Sequence, residues 1–196
     1  MTSSKRLGMA FIAVATIGVG SVAFMATASA DGYAMKATLV DTAGAKIGRV
    51  KFSSDEHNTY VKVRLNAAPG ANAFHGFHIH ANDNPANGVG CVAEGKFASA
   101  DGHFKAGDQV HGQHTGDLPS VYVNADGTFE ATYTLDKIKR EELTGKVVIF
   151  HAGADNFGNI PLGAEPDKYT SNSQAAIDLT NATGNAGARL ACGVIG

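Results

Sequence analysis

A two-residue rhythm of apolar and polar side chains, recurring in short segments, most constrains what this chain can fold into. Across residues 59–66, Val61, Val63 and Leu65 alternate with Lys62, Arg64 and Asn66. Successive residues of an extended strand face opposite sides, so the pattern describes a strand with one buried and one solvated face. Phe129, Ala131, Tyr133 and Leu135 keep the rhythm within residues 128–135, and residues 33–40, 47–53, 146–151 and 189–195 are further strand candidates. Asp41-Thr42-Ala43-Gly44 and Asn124-Ala125-Asp126-Gly127 have turn composition. Residues 136–143 could form a short helix but read better as part of a connection. Two long polar stretches, 81–120 and 152–188, interrupt the order. Loops of that length in a compact domain are usually functional or disordered. About eight strands with such excursions predict an all-β fold: a Greek-key β-sandwich or flattened barrel with two long functional loops.

Histidine placement carries the chemistry. His78 and His80 stand two apart in Gly76-Phe77-His78-Ile79-His80, so both rings leave one side of a strand while Phe77 and Ile79 leave the other. His103, His111, His114 and Asp117 follow as H-x7-H-x2-H-x2-D, three nitrogens and one oxygen that suit a four-coordinate zinc site. His151 ends the apolar run Val147-Val148-Ile149-Phe150 and brings one more imidazole to a strand end. Together these side chains suggest two metals. His57, in Ser54-Asp55-Glu56-His57-Asn58, reads as solvated.

Residues 1–30 read as a secretory signal outside the fold. Lys5 and Arg6 precede an uncharged apolar run over 8–25, and Ala28-Ser29-Ala30 supplies a small-x-small cleavage pattern. That run lies at the lower limit for a membrane span and is diluted by Gly, Ala, Thr and Ser, so removal is favoured over a retained anchor. Residues 31–196 then form one domain, with 14 basic against 18 acidic residues. Mild acidity without a basic block argues against nucleic acid as a partner. Cys91 and Cys192 are the only cysteines, and an exported setting favours their pairing. Such a bridge would contribute about 4–5 kcal/mol in the chain-entropy model.

Three blocks resemble the copper/zinc superoxide dismutases. They are Phe74-His75-Gly76-Phe77-His78-Ile79-His80, then Gly102-His103-Phe104 through His114-Thr115-Gly116-Asp117-Leu118, then Gly184-Asn185-Ala186-Gly187-Ala188-Arg189-Leu190-Ala191-Cys192-Gly193-Val194-Ile195-Gly196. Members of that family are known β-sandwiches and a standard case of electrostatic steering. The resemblance implies copper ligands His78, His80, His103 and His151, and zinc ligands His103, His111, His114 and Asp117. His103 would bridge both ions as an imidazolate. Asp155 would link a copper-ligand histidine to a zinc-ligand histidine, Arg189 would dock the substrate beside copper, and Cys91 would pair with Cys192. His75 matches a structural position of the family and is left out of the metal set.

The implied reaction converts two superoxide anions and protons to dioxygen and hydrogen peroxide by Cu(II)/Cu(I) cycling, with zinc holding the bridge. His103 would take up a proton when its copper bond opens. The signal implies an exported protein of the periplasm, cell envelope or extracellular space, with no membrane partner once it is removed. The resemblance allows a homodimer as well as a monomer. One departure stands out: residues 152–188 carry Asp155, Glu165, Asp167 and Asp178 against Lys168 alone. Substrate guidance would then come from elsewhere, with Lys96 and Lys105 as candidates, or be weak. The same stretch holds an insertion with Pro161 and Pro166 of no assignable role. Two rivals are a non-enzymatic metal-binding envelope protein, which would need neither Arg189 nor Asp155, and a structural β-sandwich, which would bind neither ion stoichiometrically.

Overall fold

The computed structural model describes residues 35–161 and 173–196. The predicted signal, the start of the first predicted strand and Pro166 lie outside the described residues. Nine strands are described: β1 Met35–Asp41, β2 Lys46–Ser54, β3 Thr59–Leu65, β4 Ala73–His75, β5 Phe77–His80, β6 Val121–Val123, β7 Phe129–Leu135, β8 Val147–His151 and β9 Arg189–Val194. Seven of them form one antiparallel sheet in the order β5-β8-β9-β1-β2-β3-β7, and β4 pairs with β6. Neighbours such as β1 and β9 are distant in sequence, so the sheet curls on itself through long crossovers, a Greek-key trait. The eight-strand expectation is close. The added elements are short pairs such as β4 and β6, three residues each, below the length at which alternation is legible.

Alternation places the core. Val61, Val63 and Leu65 of β3 are buried in the main cluster with Ala37, Leu39, Val50 and Phe52 from β1 and β2. In β5 and β8 every residue is buried, because these strands are covered on both faces. Phe77, Ile79, Val148 and Phe150 join the main core. On the other side, Val147 and Ile149 of β8 pack with Phe97, Ala100 and Cys192 under the disulfide. Strand parity therefore turns His78 and His80 away from Phe77 and Ile79, as expected from the sequence.

The polar stretch 152–188 is not loop throughout. A ten-residue helix, α1 Gln174–Thr183, corrects that expectation. The Ser173 hydroxyl accepts from the Ala176 N–H at its start, and Gly184 closes it at φ 58°, ψ 14° with its N–H on the Thr180 carbonyl. Residues 136–143 contain only a single 3₁₀ turn, Arg140–Glu142. Among the described residues no helix is long and apolar enough to cross a membrane.

Candidate metal centre

The site is built on the free edge of β5. One side of β5 pairs with β8, with His78 opposite Ile149 and His80 opposite Val147. The other side would expose unpaired backbone, and the long loop 81–120 folds back to satisfy it. The Ile79 N–H donates to the Gly116 carbonyl at 2.8 Å, and the Phe104 N–H donates to the Ile79 carbonyl at 2.8 Å. A Cβ on Gly116 would stand 2.2 Å from the Ile79 oxygen, so only glycine permits this approach. The result is two isolated bridges, His80 with His103 and His78 with Asp117. Residues far apart in sequence thus become ring neighbours: the His78 and His103 centroids are 4.1 Å apart, and those of His80 and His103 4.9 Å. His151 reaches the same place from β8, where a register shift after Phe150 sets it opposite Arg189.

Two ligand-competent groups result, each with donor atoms within 4.8 Å of one another: His78, His80, His103 and His151, and His78, His103, His111 and Asp117. His114 belongs beside the second group, its Nδ1 lying 3.2 Å from both His103 Nδ1 and Asp117 Oδ1. His103 Nδ1 is 2.8 Å from Asp117 Oδ1. All seven predicted ligand side chains are buried.

Each of three histidines is fixed through one ring nitrogen. His78 Nε2 meets Asp155 Oδ1 at 2.8 Å, His80 Nδ1 meets the Asp101 carbonyl at 2.8 Å, and His151 Nδ1 meets the Gly187 carbonyl at 3.0 Å. The remaining nitrogens, His78 Nδ1, His80 Nε2 and His151 Nε2, are buried without a hydrogen-bond partner, as are both ring nitrogens of His111. Asp155 also accepts from the Ser120 hydroxyl at 2.7 Å and lies 3.6 Å from His111 Nε2, so its carboxylate stands between the two groups.

Burial sets the electrostatics. Desolvation holds the His80 pKa well below the ordinary imidazole value, with the charges of His103, Arg189 and His151 adding to it. Desolvation brings His103 to about 4 against the pull of its Asp117 hydrogen bond, and brings His151 to about 3. His111 is lowered by burial too, with Asp117 and Asp155 opposing. For Asp117, burial raises the carboxyl, but hydrogen bonds from His103 and His114 outweigh it and hold the group ionised. Asp155 is likewise lowered, burial being outweighed by His78.

Arg189 is half-buried at the rim. Its Nη1 donates to the Phe97 carbonyl at 2.5 Å and its Nη2 to the Asp101 carbonyl. Burial lowers its pKa, Asp101 opposing, and a guanidinium remains charged at neutral pH. It lines an open depression of about 710 Å³ with Lys96, Asp101, Gly102 and Gly187. Lys96 is therefore beside Arg189, whereas Lys105, though exposed, is not among the lining residues. Cys91 and Cys192 are bonded, tying the start of this loop to β9. His75 is bonded at both ring nitrogens to carbonyls, of His151 and Gly70, each at 2.8 Å, and His57 is exposed. Sequence reasoning missed three participants. Asp101 sits under His80 and Arg189, Ser120 on Asp155, and the Lys137 ammonium donates to the His114 carbonyl at 2.8 Å. Asp101, Ser120 and Lys137 lie in no recognisable sequence pattern.

Comparison with known proteins agrees with this geometry. The family model for copper/zinc superoxide dismutase (SODC) matches residues 46–195. A "Superoxide dismutase [Cu-Zn]" of Mycolicibacterium paratuberculosis is 37% identical over 167 residues, covering 78% of this chain and 70% of that protein. One of Mycobacterium tuberculosis is 35% identical over 174 residues, covering 83% and 70%. Among solved structures, the crystal structure of a SOD-like protein from Bacillus subtilis superposes with a TM-score of 0.57 at 25% identity, covering 81% of this chain and 95% of that one. A double mutant of that protein gives 0.57 at 27% identity, covering 81% and 94%. The chain belongs to the copper/zinc superoxide dismutase family, a family of oxidoreductases whose members imply copper and zinc as cofactors.

Proposed function

We propose that this chain is an exported superoxide dismutase in which His78, His80, His103 and His151 hold copper, and His103, His111, His114 and Asp117 hold zinc. The observation that carries the reading is the convergence of buried, unpartnered nitrogens: His78 Nδ1, His80 Nε2 and His151 Nε2. The opposite nitrogen of each ring faces a carboxylate or carbonyl oxygen, which can only accept. The proton therefore sits on the bonded nitrogen, and a lone pair is left on the converging one. His78 also lies within reach of the second group; with Nε2 engaged by Asp155 it has one nitrogen to offer, and the family pattern gives that nitrogen to copper. His103 differs: its Nδ1 faces Asp117 and His114, which leaves Nε2 for the copper side, so this one ring would serve both ions.

When bound, copper supplies the one-electron redox change and zinc, which has none accessible, fixes and polarises the shared ring. The protein supplies the rest. Arg189 holds a charged, planar group at the rim, its orientation locked by two carbonyls, and docks a small anion. His103 Nε2 takes up and returns one of the two protons needed to form hydrogen peroxide, while Nδ1 stays on the zinc side beside Asp117. Asp155 holds the His78 ring and flanks His111, so the two ion sites are oriented by one carboxylate. Removal of residues 1–30 belongs to the same reading, and the Cys91–Cys192 bond supports an oxidising compartment.

Metal analysis combined with a superoxide-consumption assay tests this on the wild-type protein, His80→Ala and Arg189→Ala. His80→Ala is expected to lose copper and activity together. Arg189→Ala is expected to keep both metals and fall in kcat/KM by roughly tenfold or more, the scale of one lost charge-assisted contact. Wild-type protein that loads both metals and leaves superoxide untouched would favour a non-enzymatic metal-binding role.

A further inference from the structure

Asp101 occupies a backbone conformation that side chains avoid. Its φ is 62° and ψ −154°, a region populated almost entirely by glycine. A non-glycine residue persists there only when its surroundings over-determine it; here its N–H donates to the Ala98 carbonyl and its carboxylate makes three further contacts. Asp101 Oδ2 accepts from the backbone N–H groups of Asp83 and Asn84, each at 2.8 Å, and Oδ1 accepts from the Asn87 side-chain amide at 2.7 Å. These three donors belong to a segment of the same long loop, so the carboxylate pins residue 101 to residues 83–87.

That pinning has a consequence at the other end of the residue. The Asp101 carbonyl accepts from His80 Nδ1 at 2.8 Å and from Arg189 Nη2. One oxygen thus orients both a copper-side imidazole and the guanidinium at the rim. The Asp101 carbonyl direction is set by φ and ψ at residues 101 and 102, and the 101 values are the strained ones. The second carbonyl on Arg189 comes from Phe97, which is also left-handed at φ 61°, so the whole cradle for the guanidinium is built from unusual backbone.

We infer that Asp101 is a positioning residue whose carboxylate, by anchoring residues 83–87, aims its own carbonyl at His80 and Arg189 together. This rests on the assignment of His80 to copper and Arg189 to anion docking made above. The carboxylate itself is taken up by its three donors. It fixes the arginine and the imidazole relative to each other, and its loss should loosen anion docking without emptying the metal sites.

The test uses protein loaded with copper and zinc, with azide as a small monoanionic probe followed by absorption titration. Asp101→Gly is the informative variant, because glycine adopts this backbone conformation freely and so tests the carboxylate apart from strain. It should weaken azide binding and lower kcat/KM by about 3–10-fold, the value of one net hydrogen bond. It should also shift the copper electron paramagnetic resonance signature, leaving zinc content unchanged. Asp101→Asn keeps an acceptor oxygen for the 83 and 84 amides and should retain most of the azide affinity. Wild-type azide affinity and an unshifted copper signature in Asp101→Gly would overturn the inference. Wild-type azide affinity in Arg189→Ala would instead remove the anion-docking role of Arg189, and the inference would fall with it.

Discussion

At the residue scale, the cost of burying candidate ligand side chains together shows in the proton affinities of His80, His103, His111 and His151. His103 and His151 have pKa values of about 4 and about 3, against an ordinary value of 6.5, chiefly through desolvation. In the unfolded chain these rings bind protons near pH 6.5, and in the folded, metal-free chain they do not. The unfolded state therefore carries more protons below that pH, and stability falls as pH falls. The sign is the same for Asp117 and Asp155, whose lowered values add a further loss below about pH 3.8. Each ring lowered in this way should cost the metal-free protein about 1.4 kcal/mol per pH unit as pH drops from about 6.5 toward about 4, a few kcal/mol for His103 alone. Urea midpoints measured across that range check it, and a flat profile would contradict the buried-neutral assignment. The loaded protein should release metal in acid, zinc first, since the coordinating nitrogens must stay deprotonated.

At the element scale, α1 gives the last long stretch a role that its polar composition conceals. The His111 N–H donates to the Asn181 carbonyl at 2.7 Å, and the Asn159 side chain donates to the His111 carbonyl at 2.9 Å. Gly184, at the end of α1, lies against the imidazole itself: a Cβ there would fall 2.2 Å from His111 Nε2. The helix terminus therefore holds His111 by its backbone and by contact with its ring. Gly184→Ala, which must also strain a φ of 58°, should lower zinc affinity by about 10–100-fold, the range for residues that orient a ligand. Competition against a chelator of known affinity measures this, and unchanged affinity would show that His111 is set by its own loop. Nothing in the residue types of 174–183 announces the helix strongly. Its buried residues, Ala176 and Thr180, make no apolar stripe, so the signal lies in the Ser173 and Gly184 caps alone.

At the scale of the whole molecule, the substrate is an anion and the chain carries a net charge of −2. Guidance must be local. Lys96 shares the open depression with Arg189, but Asp83 and Asp101 line it too, and the acidic balance of residues 152–188 supplies no compensating field. The rate should fall by no more than about threefold between low and physiological ionic strength, since a strongly steered reaction falls far more steeply. Stopped-flow measurement of kcat/KM against added salt decides the matter, and a steep decline would reveal a strong guiding field.

Much of this protein is legible in its amino-acid sequence. Strand parity is a local property, so alternation in residues 59–66 and 128–135 located β3 and β7, and the spacing of His78 and His80 put both rings on one face. Metal-ligand chemistry resides in residue types, so the candidate side chains that the fold gathers and the pair Cys91 and Cys192 are legible too. Tertiary structure alone decided which loop covers the open edge of β5 and how Arg189 comes to rest on the Phe97 and Asp101 carbonyls, 92 and 88 residues away. The physical reason is that these contacts fall largely on backbone groups. Every residue carries a carbonyl, and only the path of the folded chain determines which of them faces an imidazole or a guanidinium.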